Sequence, residues 1–81
     1  MHKKEVYEKI RQAPANVKFA DIGTIAMSFG FNLRGGKGSH RIYVKDGIRE
    51  MLNFQNVRGM VKPYQVKQFI KIIKKYNLLE D

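Results

Sequence analysis

The sequence predicts an α+β domain, a small antiparallel sheet with helices packed on one face. Three observations lead there. Apolar residues recur at helical spacing up to Gly30 and again after Pro63. Between these stretches the period changes from 3.6 to 2. Asp46-Gly47 supplies a two-residue hairpin signal between runs of alternating residues. Helices, then strands, then a helix, on a chain of 81 residues, is an order that a single sheet covered on one side accommodates.

Val6, Tyr7, Ile10 and Ala13 share one face of a first helix, Glu5 and Lys9 pair at i,i+4 on the other side, and Pro14 ends it. Phe19, Ile22, Ile25, Ala26 and Phe29 form a second helical stripe. Gly30 closes that helix at its C′ position, and Gly23 weakens its middle. Residues 31–34 read as a first strand, 39–45 as a second and 48–54 as a third, followed by a polar linker over 55–62 that contains Gly59. Pro63 opens the last helix. Its buried stripe is Val66, Phe69, Ile70, Ile73 and Tyr76, with Asn77 capping the end and Lys67, Lys71 and Lys74 on a neighbouring face.

A chain of this length makes one domain with one core. Apolar residues at 43%, with five Phe and four Tyr, suffice to pack it and exclude a disordered chain. There is no cysteine, so neither a disulfide framework nor a thiolate metal site exists, and a reducing cytoplasm is the expected setting. No apolar run approaches the roughly 20 residues of a membrane span, and the charged N-terminus has no apolar stretch of a secretory signal behind it. Sixteen Lys and Arg against seven Asp and Glu give a net charge of +9. Such an excess points to a polyanionic partner, with nucleic acid first.

Chemistry concentrates in Gly35-Gly36-Lys37-Gly38-Ser39-His40, which leads into Arg41-Ile42-Tyr43-Val44-Lys45. Besides His2, His40 is the only imidazole, the side chain that exchanges a proton near neutral pH. The glycine-rich loop presents backbone amides beside a lysine, an arrangement that attracts anions. A strand rather than a helix follows it, so it is not a nucleotide-binding fingerprint. Strict alternation puts His40, Ile42 and Val44 on one face and Arg41, Tyr43 and Lys45 on the other. The first set is the more apolar and is expected against the helices. His40 is then a structural histidine, unless it stands at the open rim of the strand or a bulge re-aims it. Two histidines and no cysteine offer no metal ligand set, and no cofactor is expected. Arg34, Lys37, Arg41, Lys45, Arg58 and Lys62, with the lysine stripe of the last helix, outline a surface for a phosphate backbone.

From these residues the chain resembles, over residues 19–79, the HicA family of toxins, small messenger-RNA interferases of bacterial toxin–antitoxin pairs. The resemblance rests on the helix ending in Gly30-Phe31, on Lys37-Gly38-Ser39-His40 with Tyr43 three residues on, and on Lys62-Pro63-Tyr64-Gln65-Val66 opening a basic amphipathic helix. It implies a fold like a double-stranded-RNA-binding domain, a three-stranded antiparallel sheet with helices on one face. It also implies a metal-independent, cytoplasmic endoribonuclease whose catalytic residue is His40, with Gly38 and Ser39 as motif neighbours. The partners implied are RNA and an acidic HicB-type antitoxin, with self-association inside that complex. Lys37 and Arg41 are candidates to stabilise the developing phosphorane charge, and Tyr43, Lys37 or a water to move the second proton. Arg34, Lys62 and Lys67 are candidates to hold RNA. Residues 1–17 form a helical extension outside the resemblance and residues 18–81 the HicA-like domain, together one globular body. A noncatalytic RNA-binding module of the same fold is the alternative. DNA binding ranks third, because no helix–turn–helix is evident.

Overall fold

A computed structural model describes residues 2–80. Met1 and Asp81, the outer ends of the two expected segments, lie outside the described residues. The elements are α1 (Lys3–Gln12), α2 (Phe19–Ser28), β1 (Asn32–Gly35), β2 (His40–Val44), β3 (Leu52–Val57), β4 (Met60–Val61) and α3 (Pro63–Lys75). The strands form one antiparallel sheet in the order β1-β2-β3-β4.

One face of that sheet is covered. Phe31, Tyr43, Leu52, Phe54 and Val61 are buried against Ile22 and Ala26 of α2, Phe29 at its C-terminal end, and Val66, Phe69 and Ile73 of α3. Phe69 is the hub, meeting the rings of Phe29, Phe31 and Phe54 edge-on at centroid distances of 5.6, 5.8 and 5.8 Å. Such T-shaped contacts add to the area that the rings bury. Ile10 and Val17 belong to the same core, so α1 packs on α3 as part of one body. No helix of the described residues is long and apolar enough to cross a membrane.

The helix ends follow the residues that close them. After α2, Gly30 takes φ 91° while its N–H donates to the Met27 carbonyl and the Phe31 N–H to the Ala26 carbonyl. After α3, Asn77 at φ 55° repeats the pattern, with its N–H on the Lys74 carbonyl and that of Leu78 on the Ile73 carbonyl. Both are left-handed caps of the Schellman type. Gly23 also finds its reason: the Tyr43 hydroxyl occupies the space that a Cβ at residue 23 would need. The glycine that weakens α2 lets the sheet approach it.

Four expectations about the sheet are corrected. The sheet has four strands rather than three, because Arg58 and Gly59, at φ 54° and 87°, make a tight turn inside the expected linker and return the chain as β4. Positive φ at both central residues matches the right-handed twist of a hairpin. The third strand runs over Leu52–Val57 rather than 48–54. Asp46-Gly47 does form a turn, closed by the Ile48 N–H on the Lys45 carbonyl, but no tight hairpin grows from it. A two-residue hairpin would set Tyr43 opposite Glu50, whereas the register sets it opposite Leu52. Residues 48–51 leave the ladder because Ile48 packs on the core and Glu50 is held by Lys75 and Tyr76.

The last correction concerns faces. Arg41 and Tyr43 pair with Phe54 and Leu52 and lie under the helices, while His40 and Ile42 pair with Gln55 and Asn53 on the open side. Hence Tyr43 is the buried residue of β2. His40 stands on the face opposite to the one that alternation of hydrophobicity suggested. In the helices, Ala13 lies beyond α1 and is exposed, and Ile72 is buried where Ile70 and Tyr76 are only half-buried.

Candidate nucleic-acid interface

The loop between β1 and β2 is built from within. Gly36, at φ 135°, lies against the His40 carbonyl and the Arg41 Cα, where no side chain fits. The His40 N–H donates to the Lys37 carbonyl at 3.2 Å, and the Asn56 N–H donates to the Ser39 carbonyl at 2.7 Å. Arg41 closes the base of the loop, its Nη1 donating to the Gly38 and His40 carbonyls at 3.0 and 2.9 Å. Its guanidinium stands 5.8 Å from the centre of the Phe19 ring at the head of α2. Lys37, Gly38 and Ser39 are exposed, and the N–H groups of Gly38 and Ser39 have no acceptor among the described residues. An unpaired pair of amides beside a lysine is an anion-attracting arrangement.

His40 follows this loop, half-buried at the first position of β2, with Gln55 directly opposite and Ile42 two residues along. The loop amides, Lys37 and His40 are therefore assembled together. Arg41 and Tyr43 are not part of that group. Arg41 points to the helix side and is engaged with loop carbonyls, and Tyr43 is packed 6.0 Å from Phe54 between the sheet and Gly23. Arg34 is exposed at a bulge in β1, where the pairing with β2 shifts between Leu33 and Gly35.

A second basic surface rises from the head of α3. Lys62 precedes the helix and its Nζ lies 6.0 Å from the ring centre of Tyr64, which is 56% exposed. Tyr64, Lys67, Lys71 and Lys74 follow at i, i+3, i+7 and i+10 on the exposed side. The helix contains no acidic residue, and among the described residues these three lysines make no ion pair. Lysines near an α-helix C-terminus suit the dipole, but Lys62 and Lys67 at the opposite end do not, so capping does not account for the whole stripe.

Sequence reasoning missed Gln65, the one buried polar side chain among the described residues. β4 ends at Val61, leaving the Gln55 N–H without a strand partner, and the Gln65 Oε1 accepts that N–H at 2.8 Å. The side chain replaces a ladder bond and ties α3 to the strand beside His40. A signal existed: Gln65 falls at i, i+4, i+7 with Phe69 and Ile72, a polar residue on the apolar stripe.

Elsewhere, a groove of about 590 Å³ lies between α1 and α2, bordered by Val6, Ile10, Val17 and Ile25, and takes nothing from the loop or β2. No three His, Asp or Glu side chains converge among the described residues. Compared with known proteins, the chain matches no family model, no curated protein and no solved structure.

Proposed function

We propose that this chain is a HicA-type endoribonuclease that cuts messenger RNA through His40 without a metal ion, and is held in check by an acidic antitoxin. The order α2-β1-β2-β3-α3, with helices on one side of an antiparallel sheet, fits a variant of the double-stranded-RNA-binding fold, with β4 and α1 added. The observation that carries the reading is the placement of the single strand-borne imidazole on the uncovered face, directly after a loop that offers Lys37 and two unpaired backbone N–H groups.

The chemistry then needs little more. His40 takes the proton of a ribose 2′-hydroxyl, the 2′-oxygen forms a bond to the adjacent phosphorus, and the bond from phosphorus to the 5′-oxygen breaks. The leaving oxygen takes a proton from Lys37 or a water, and the products carry a 2′,3′-cyclic phosphate and a 5′-hydroxyl. Lys37 and the amides of Gly38 and Ser39 face the charge that develops on the phosphorane, the kind of fixed donor that works without reorganisation. Arg41 acts as the clamp of the loop rather than as a contact to phosphate. Lys62, Lys67, Lys71 and Lys74 hold the backbone away from the cut. A noncatalytic RNA-binding module is favoured by one observation: Tyr43 and Arg41 lie on the other face, so β2 supplies no second proton-transfer group beside His40.

Replacing His40 with Ala decides between them. The variant should lose cleavage by about 10²- to 10⁴-fold, the usual share of a positioned acid–base group, while binding RNA as the parent does. Cleavage retained at the parent rate, or parent products with neither cyclic phosphate nor 3′-phosphate ends, would remove the proposal.

A further inference from the structure

We infer that the open face of the sheet reads the bases flanking the cut, through the side-chain amides of Gln55 and Asn53, and that the substrate is therefore single-stranded RNA. The inference rests on the ribonuclease reading of His40. A phosphate in contact with His40 brings its two neighbouring nucleotides over the residues around His40 on the same face. The register names them: Gln55 directly opposite, Asn53 on the diagonal and Ile42 along the strand. Opposite and diagonal neighbours on an antiparallel pair stand about 5 and 7–8 Å away, within reach of a base attached to the bound phosphate.

Three features of this face fit bases rather than phosphates. The β2 and β3 positions of this face around His40 are amides and aliphatics, with Ile42 and Val57 beside Asn53 and Gln55, whereas Lys37 and Lys62 stand outside the paired strands and Arg34 sits at the bulge of β1. Neither the Asn53 nor the Gln55 side-chain amide has a hydrogen-bond partner among the described residues, and Asn53 is exposed. An amide carries a donor and an acceptor side by side, the pattern that matches a base edge in two bonds. An unstacked single strand turns its Watson–Crick edges outward to such a face, whereas a duplex keeps those edges paired and its major groove too narrow for side chains to enter.

The test is binding of uncleavable 2′-O-methyl oligoadenylate, oligocytidylate and oligouridylate, and of an A·U duplex, to the parent protein and to Asn53→Ala/Gln55→Ala. The substituted side chains are outside the core, and the Gln65 bond uses only the residue 55 backbone, so thermal unfolding should match the parent. The parent should prefer one single strand over the weakest by about tenfold, within the range of one base-edge pair, and bind the duplex least well. The double variant should bind all three strands alike, with the same salt dependence as the parent. A base preference that survives the substitutions, or tighter binding of the duplex, overturns this inference and leaves the ribonuclease reading standing. Absence of binding to any RNA at low salt overturns both. Self-association of the parent that the substitutions abolish, without any base preference, assigns the face to a second copy of the chain instead.

Discussion

The two faces of one strand pair are made from similar residues and do different work. Under the helices, Tyr43, Leu52 and Phe54 close a core around Phe69, with Arg41 half-buried at its border; on the open side, His40, Ile42, Asn53 and Gln55 meet solvent from the same two strands. Ile42 is more apolar than Arg41, yet Arg41 lies on the covered face and Ile42 on the open one. Side-chain polarity in β2 alone does not choose the face. The partners in β3 choose it: Leu52 and Phe54 bury two large groups, and whatever pairs with them is carried under the helices. Arg41 tolerates that position because its head is occupied by loop carbonyls and its plane by Phe19.

Stability measurements can break this comparison directly. Phe69→Ala should cost about 3–5 kcal/mol, the range for emptying an aromatic site in a core, whereas His40→Ala on the open face should stay within about 1 kcal/mol. Chemical denaturation of both variants checks it, and equal losses would mean that the open face is itself a core. A smaller effect sharpens the boundary between sheet and helix. Gly23→Ala improves helix propensity by about 1 kcal/mol at an exposed site, but here the new methyl meets the Tyr43 hydroxyl and the net result should be a loss of about 1–2 kcal/mol. Adding Tyr43→Phe should return part of that loss, and a stabilised Gly23→Ala would show that the sheet does not press on α2 there.

The smallest effect lies at the far end of α3. Hydrogen bonds from Lys75 and then Tyr76 pull the Glu50 carboxyl down to about 2. A carboxyl lowered on folding stabilises the fold above its unfolded value and ceases to do so as pH falls through its folded one. The Glu50 contribution is therefore complete above about pH 4.5 and fades toward pH 2. Acid titration of the unfolding midpoint should show a shallower decline between those limits in Glu50→Gln than in the parent. Parallel curves would show that the tether of residues 48–51 to α3 has no energetic weight.

Much of this was legible beforehand, for reasons that the misses explain. The helices follow from a period that survives local exceptions, and Gly30 and Asn77 mark their ends because few other residues enter the left-handed region at little cost. The corrected parts depend on pairing across the chain. Residues 48–51 carry a strand-like pattern that tertiary contacts of Ile48 and Glu50 override. Arg58 gives no hint of a positive φ, so β4 stays hidden behind a residue that rarely makes such a turn. At the candidate site the loop and His40 could be singled out by composition, but the face that His40 occupies is a property of β3. Gln65 stands out in the sequence as a polar residue on an apolar stripe, but its role is plain only when the missing strand partner of Gln55 is seen.

The two outer strands carry one more consequence. A sheet border normally offers a row of free amides and carbonyls on which a foreign chain can crystallise, the first step toward fibrils. Here β1 is four residues long and broken by a bulge at Arg34, while β4 is two residues long and its flank bonds to the backbone of Val17 and Phe19. Neither border templates a further strand. A concentrated, cationic chain is thereby kept from polymerising through its sheet, and molecules that engage it are met by surfaces of side chains rather than by an exposed ladder.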